Sequence, residues 1–387
     1  MKLNLTWAFP AFLILMIACS KGQSNKITTT PPPNSNSSPL PNTVDKSDTL
    51  QVMAYNVLNY GDACQGSTGT LDSDFRTIVQ YVQPDLLSCE KMYAFNPAPG
   101  APGNLADDIN NNVLNAAFPG RYAYAAPTNA ANAGDMSVLF YNQKKLSFVS
   151  RRTLVVNITD FNLYKFYYND PNLSITRDTT YLYVVVNHTQ SGSNSTIRDQ
   201  QVTQEMQAVR TEFGFLPNLV NMGDFNTASS LETGYQAIIT STDTATVMND
   251  PPFSVEKAVQ YPANWDVSPY LYAPYLTTST RLSATLPNSC GTSGGAKSWY
   301  DHIFISPWLV KGSNYIQYLP GSYRTIGNDG QRLGVDINSI SPVPNTSAPD
   351  TVIQALWQFS NKYPITIRLV VKANRNAYSP ADPVEEN

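Results

Sequence analysis

From Leu50 onward the chain switches repeatedly between strand-like and helix-like patterns. LQVMAYNVLNY, Leu50 to Tyr60, alternates apolar and polar positions and is rich in β-formers, which predicts a strand. DSDFRTIVQYV then places Phe75, Ile78, Val79 and Val82 at helical spacing, with Asp72 or Ser73 as the candidate cap. PDLLSCEKM reads as a short buried strand. NLADDINNNVLNAAF repeats apolar residues at 105, 109 and 113, the pattern of a second amphipathic helix. Strands are predicted at MSVLFYN, KLSFVSRRTLVV and TYLYVVVNHT, a third helix at RDQQVTQEMQAVRTEF, and a strand at NLVNMGDFN. Between Thr240 and Gly295, Pro, Tyr, Thr and Ser predominate, which predicts long loops. SWYDHIFIS and YPITIRLVV complete the series as strands, and no internal repeat is present. Strands and helices in this order predict an α/β sandwich, with sheets packed face to face and helices outside.

The first residues change the picture of where this domain works. In MKLNLTWAFPAFLILMIACSKG, one Lys precedes an apolar run from Phe9 to Ala18 that ends at Cys19. That run is too short to span a bilayer and reads as a signal peptide. Met-Ile-Ala before the Cys resembles a bacterial lipobox, although Leu is commoner where Met16 stands; Cys19 then becomes the lipidated first residue. The alternative is an ordinary secretory signal with a chance Cys. The segment that follows is rich in Pro, Ser, Asn and Thr, with little to bury, and reads as a disordered tether. The expected division is therefore signal peptide 1–18, lipidated Cys and tether 19–48, domain 49–373 and C-terminal tail 374–387. The expected location is the bacterial cell envelope, exported, at the outer membrane or cell surface. Membrane contact is expected through the lipid alone, and the domain is expected to be a monomer.

Composition agrees with such a setting. Charged residues make up 14% of the chain, and 23 Tyr nearly match 25 Lys plus Arg, so the surface is polar but sparsely charged. A net charge of −4 argues against a broadly basic nucleic-acid footprint, while leaving room for a local basic groove. Cys89, in the apolar stretch LLSC, is predicted to be a buried thiol. Cys64 and Cys290 both lie in Gly/Ser-rich loops, where a disulfide is possible in an oxidising compartment.

The candidate chemistry sits at strand ends. Asn56 ends the first strand and Glu90 the second; His188 follows YLYVVVN; Asp224 and Asn226 end NLVNMGDFN; Asp301 lies in SWYDHIFIS. Singly, each is most simply a turn former. Together they are oxygen and imidazole groups that one sheet edge could gather, and the oxygen ligands suit Mg²⁺ or Ca²⁺. There is no Cys/His cluster for zinc, no P-loop and no GxGxxG after a strand.

AYNVLNY, PDLLSCE, VVVNHTQSG, GDFN and SWYDHIFIS, in this order, resemble the endonuclease/exonuclease/phosphatase superfamily, over about Leu50 to Lys372. The superfamily includes DNases, apurinic endonucleases, sphingomyelinases and inositol polyphosphate phosphatases. The resemblance implies the DNase-like four-layer α/β sandwich, two mainly antiparallel sheets flanked by helices. It implies hydrolysis of a phosphodiester such as DNA, or of another phosphate-containing ligand, with Mg²⁺ or alternatively Mn²⁺ or Ca²⁺. Glu90 matches the principal metal ligand, and Asn56 the asparagine that supports it. His188 matches a histidine near the scissile phosphate. Asp224 would orient or activate water, and Asn226 would hold the phosphate. Asp301 would orient a final catalytic histidine, and Arg198 and Arg121 are candidate phosphate-contacting arginines.

That final histidine belongs to an S-D-H-x-P motif, where this chain has Ser360-Asn361-Lys362-Tyr363-Pro364. The frame is kept and both chemical residues differ. Asn361 lacks the charge of aspartate, which weakens any hold on a metal or water. Lys362 offers a fixed positive charge in place of a group that titrates near neutrality. Of the two histidines, His302 adjoins Asp301 on one strand and is expected to face away from the site. Three readings stay open: a metal-dependent phosphodiesterase, most simply a nuclease, impaired at its last motif; an inactive descendant that binds a phosphate-containing ligand; and a surface lipoprotein whose Tyr-rich loops contact glycans or partner proteins.

Overall fold

The computed structural model describes residues 39–64, 66–283 and 290–376. The predicted signal peptide, Cys19, most of the tether and most of the tail lie outside the described residues. Among the described residues, twelve strands form two sheets. They are β1 (Ser47–Tyr60), β2 (Leu86–Tyr93), β3 (Tyr122–Ala125), β4 (Asp135–Asn142), β5 (Leu146–Asn157), β6 (Thr159–Tyr168) and β7 (Tyr181–His188). There follow β8 (Leu219–Asp224), β9 (Asp301–Ile305), β10 (Ile316–Tyr318), β11 (Arg324–Thr325) and β12 (Ile365–Lys372). The larger sheet has the order β10-β12-β1-β2-β4-β3, with β11 also on β12; the smaller has the order β5-β6-β7-β8-β9. Pairing is antiparallel except β1 with β2 and β7 with β8. Each parallel pair is bridged by a helix, α1 (Thr68–Val82) in the larger sheet and α2 (Ser195–Glu212) in the smaller. Two further helices, α3 (Thr233–Ile239) and α4 (Asp350–Phe359), pack beside α2 and α1 respectively.

β1 is buried from Val52 to Leu58, on both faces, because helices cover one side and the second sheet the other. The odd positions face the helices: the Tyr55 ring lies 6.0 Å from Phe75 of α1 and 5.5 Å from Phe359 of α4. The even positions Val52, Ala54 and Asn56 therefore face the other sheet. In the smaller sheet, Asn221 of β8 faces Glu205 of α2, and His302 and Phe304 of β9 face Tyr235 of α3. Met222, Asp224, Asp301 and Ile303 then point into the sandwich.

Several local expectations change. The N-cap of α1 is Ser67, not Asp72 or Ser73; Asp72 lies inside the helix, where its carboxylate accepts the Tyr60 hydroxyl at 2.5 Å. The 105–117 helix is one α-turn, a π-turn over Ile109–Leu114 and a final α-turn, capped by Asn104. β3, β6, α3 and α4 were not predicted. The folded chain also begins earlier and ends later than 49–373. The Leu40 N–H bonds to the Arg375 carbonyl at 2.8 Å, Val44 N–H bonds to the Asn172 side chain at 2.7 Å, and Asn374 is buried.

Candidate functional site

Strand register assembles the site. Asn56 and Glu90 are partners across the parallel β1–β2 pair, and His188 and Asp224 across the parallel β7–β8 pair. Asp301, first residue of β9, is the partner of Asp224. Lys362 comes three residues before Ile365, which pairs with Ala54, so it enters from the neighbour of β1 on the same end. The Ser360 hydroxyl donates to the Asn56 carbonyl at 2.8 Å and accepts the Lys362 N–H at 3.1 Å, which locks that approach. Residues distant in sequence thus meet between the sheets at the carboxyl ends of two parallel pairs, where open α/β folds commonly place ligands.

Asp224 is the centre of the cluster. Its Oδ2 accepts Asn56 Nδ2 at 2.8 Å and Lys362 Nζ at 2.9 Å, and its Oδ1 accepts the Asn226 N–H at 3.0 Å. Burial alone would raise its pKa, but the Lys362 charge, the His188 side chain and these hydrogen bonds hold it down at about 2. With Lys362 and Asn56 on one oxygen and the Asn226 N–H on the other, Asp224 is held as a carboxylate. Lys362 Nζ also lies 3.7 Å from Asp301 Oδ2 and 4.9 Å from the centre of the Tyr300 ring. Burial works to lower the lysine pKa, yet Asp224 and then Asp301 outweigh it and raise it. Lys362 is therefore held as a cation, and its nearer partner is Asp224 rather than Asp301.

Among the described residues both oxygens of Glu90 and both of Asp301 are buried without a hydrogen bond, though Asp301 Oδ2 faces the Lys362 ammonium at 3.7 Å. Burial first, and the neighbouring Asp301 and Asp224 charges next, push Glu90 well above the carboxylate range. Burial likewise lifts Asp301 to about 7, with Asp224 adding to the rise and Lys362 opposing it. A buried carboxyl with no partner is what a hard cation would satisfy, so Glu90 fits Mg²⁺ or Mn²⁺ as a single protein ligand, leaving other positions to water and ligand oxygens. Among the described residues no group of three His, Cys, Asp or Glu side chains gathers closely enough to hold a metal. Asn56, the register partner of Glu90, makes its side-chain hydrogen bonds to other groups. Its Oδ1 accepts the Leu58 N–H at 2.9 Å and its amide donates to Asp224.

The other predicted residues divide. His188 Nδ1 lies 3.1 Å from Asp135 Oδ1; burial pushes Asp135 up, but His188 holds it below the usual range. Asn226 adopts φ 49° and donates its amide to the Thr189 carbonyl at 3.0 Å. Asn361 turns its amide to Thr292, at 2.6 Å from Oγ1 and 3.2 Å from the carbonyl. His302 faces away, as expected, with Nδ1 3.0 Å from Asp250. Arg198 is not a phosphate contact. Its guanidinium is buried, forked onto Glu232 at 2.9 and 3.0 Å, and bonded to the carbonyls of Gln190 and Gly192. It ties the loops after β7 and β8 together. Arg121 pairs with Asp85, at the opposite end of β2 from Glu90. Cys64 and Cys290 are neighbours as two thiols, and Cys89 is buried.

Asp135, Tyr300 and Thr292 were not foreseen. Asp135 had a signal, since Gly-Asp directly precedes the strand MSVLFYN. An antiparallel strand presents its first residue, not its last, at the site edge, as Asp301 also does. Tyr300 and Thr292 carry no signal in the sequence.

No family model matches the chain, and no curated protein does. Solved structures do. A conserved protein of unknown function from Enterococcus faecalis is 11% identical, with a TM-score of 0.50, over 83% of this chain and 99% of that one. D. rerio TDP2 complexed with single-strand DNA product is 12% identical, with a TM-score of 0.51, over 83% and 99%. An endonuclease/exonuclease/phosphatase family protein from Bacteroides thetaiotaomicron is 14% identical, with a TM-score of 0.43, over 85% and 100%. The chain shares its two-sheet α/β fold with the Enterococcus faecalis protein and with D. rerio TDP2.

Proposed function

We propose that this chain is an exported, lipid-anchored protein of phosphodiesterase fold that binds a phosphate-bearing ligand and hydrolyses it poorly or not at all. The observation that carries the reading is the 2.9 Å contact of the Lys362 ammonium with Asp224. It engages Asp224 and sets a cation where the resemblance implies a histidine. His188, Asn226 and Lys362, at 7%, 7% and 5% exposure, are less buried than Glu90, Asp224 and Asp301. Imidazole, amide and ammonium are all able to donate to an anion, beside the more exposed Asp135 carboxylate on His188. A cation held by Glu90 would neutralise phosphate charge. The apolar run ending at Cys19 supports export and anchoring.

The orphaned Glu90 favours a second reading, a metal-dependent hydrolase with residual turnover. The two are separated by measuring a labelled single-stranded oligonucleotide, the class of ligand seen with the D. rerio protein, for binding and cleavage with Mg²⁺ or Mn²⁺. The first reading expects saturable binding that Lys362→Met weakens, with no cleavage above the level of Glu90→Ala. Cleavage by the wild type that Glu90→Ala abolishes establishes the second. Absence of binding to oligonucleotide, inorganic phosphate and phosphorylated sugars alike contradicts both.

A further inference from the structure

Two loops that carry cysteines meet beside the site. Cys64 follows β1 and Cys290 precedes β9; both are half-buried, and their side chains are in hydrogen-bond contact. Independent contacts fix the same meeting. Asn59 Nδ2 points at Cys64 Sγ at 3.8 Å. The adjacent Leu58 packs on Gly291, where a Cβ would come within 2.8 Å of Leu58 Cδ1 and 2.9 Å of Asn361 Cγ. Gly291 has φ +88°, so both space and backbone exclude a side chain there. Thr292, next along, accepts the Asn361 amide and, at its carbonyl, the Ser279 hydroxyl at 3.0 Å. Residues 290–292 therefore present, in sequence, a thiol facing Cys64, a close backbone approach, and the holder of Asn361.

We propose that Cys64 and Cys290 form a disulfide in the oxidised protein, and that this bond pins residues 290–292 against Asn361, stiffening the Asn361–Lys362 end of the site. The step is thiol–disulfide exchange with a disulfide-bearing oxidant such as oxidised glutathione. One protein thiolate attacks a sulfur of the oxidant, forming a mixed disulfide and releasing one thiol. The second attacks the protein-side sulfur and releases the other. The protein loses two electrons and two protons, and the oxidant is reduced to two thiols. Burial first, and the Cys64 contact next, push the Cys290 thiol up to about 12, so exchange is expected to quicken as pH rises. The bond does not depend on what the site binds.

The test compares the purified full chain after oxidised glutathione and after dithiothreitol, digested without reduction and mapped by mass spectrometry. Amide hydrogen exchange is followed over residues 359–364. The expected result is a Cys64–Cys290 peptide only after oxidation, with Cys89 unmodified and exchange at residues 361–363 slowed about tenfold. Cys290→Ser removes both effects, and Cys64→Ser reads the same should the first variant fold poorly. Cys64 and Cys290 that both stay alkylatable after oxidation overturn the bond. A bond that leaves exchange at residues 361–363 at the level of Cys290→Ser overturns the pinning.

Discussion

At position 362 a cation of fixed charge meets two aspartates inside the sandwich. The ammonium stands 2.9 Å from Asp224 and 3.7 Å from Asp301, with Tyr300 against it. Removing one partner of a buried pair leaves the other charge without compensation, which is costlier than the pair itself. Lys362→Met is therefore expected to destabilise the fold by about 3–5 kcal/mol at pH 7. Asp224 then loses the largest influence holding it near 2, and part of the loss is relieved on acidification as Asp224 takes up a proton. Denaturant titrations of wild type and variant at pH 5 and pH 7.5 measure this. A variant within about 1 kcal/mol of wild type at both pH values contradicts a structural ion pair.

The elements bring the site together through register and alternation, and the same rules place a second buried carboxyl behind it. Glu205 of α2 accepts Asn221 Nδ2 at 2.5 Å and Asn187 Nδ2 at 3.4 Å, while Asn187 Oδ1 has no partner among the described residues. Burial lifts Glu205 to about 8 against these hydrogen bonds. The folded protein keeps this proton from about pH 4.3, where the unfolded chain releases it, up to about pH 8. In that window the native state binds more protons than the unfolded state, so stability falls as pH rises. Glu205→Gln keeps the acceptor for Asn221 and removes the ionisable proton. It is expected to flatten the decline and to gain about 1–3 kcal/mol at pH 8, with little change at pH 4.5. Thermal unfolding across that range checks it, and an unchanged slope would count against a protonated Glu205.

Alternation made most elements legible. Where both faces of an element are covered, it fails. In β6 every residue from Thr159 to Phe166 is buried, polar Asp160, Asn162 and Lys165 included, so no period of two marks it. α4 has only ten residues and follows a loop rich in Pro, Ser and Asn, although Val352, Ile353, Leu356 and Phe359 are correctly spaced. Asn56, Glu90, His188, Asp224 and Asp301 were readable because a polar residue closing or opening an apolar strand stands out. Their partners were not. That Asn56 serves Asp224, that Arg198 serves Glu232, and that Asn361 turns to Thr292 are results of packing between segments far apart in sequence.

For the whole molecule, two sheets of different strand order converge on one cluster whose charges are largely balanced from within. Lys362 offsets Asp224, and the raised pKa values of Glu90 and Asp301 limit their charge at neutral pH. This internal balance leaves Asp301, lifted to about 7, as the carboxyl of the cluster that exchanges a proton near neutrality. The segment that carries Lys362 is fixed at both ends, by the Ser360 hydroxyl on the Asn56 carbonyl and by Pro364 leading into β12. The most direct test is phosphodiester cleavage by the double variant Asn361→Asp, Lys362→His beside wild type, with Mg²⁺ or Mn²⁺. Both are assayed on plasmid, single-stranded oligonucleotide and an activated aryl phosphodiester. The account predicts that the variant exceeds wild type by about 10²–10⁴ in rate on at least one of these substrates, the usual worth of a positioned acid–base group. A wild type that already cuts as fast as the variant, with Glu90→Ala silent, would contradict it.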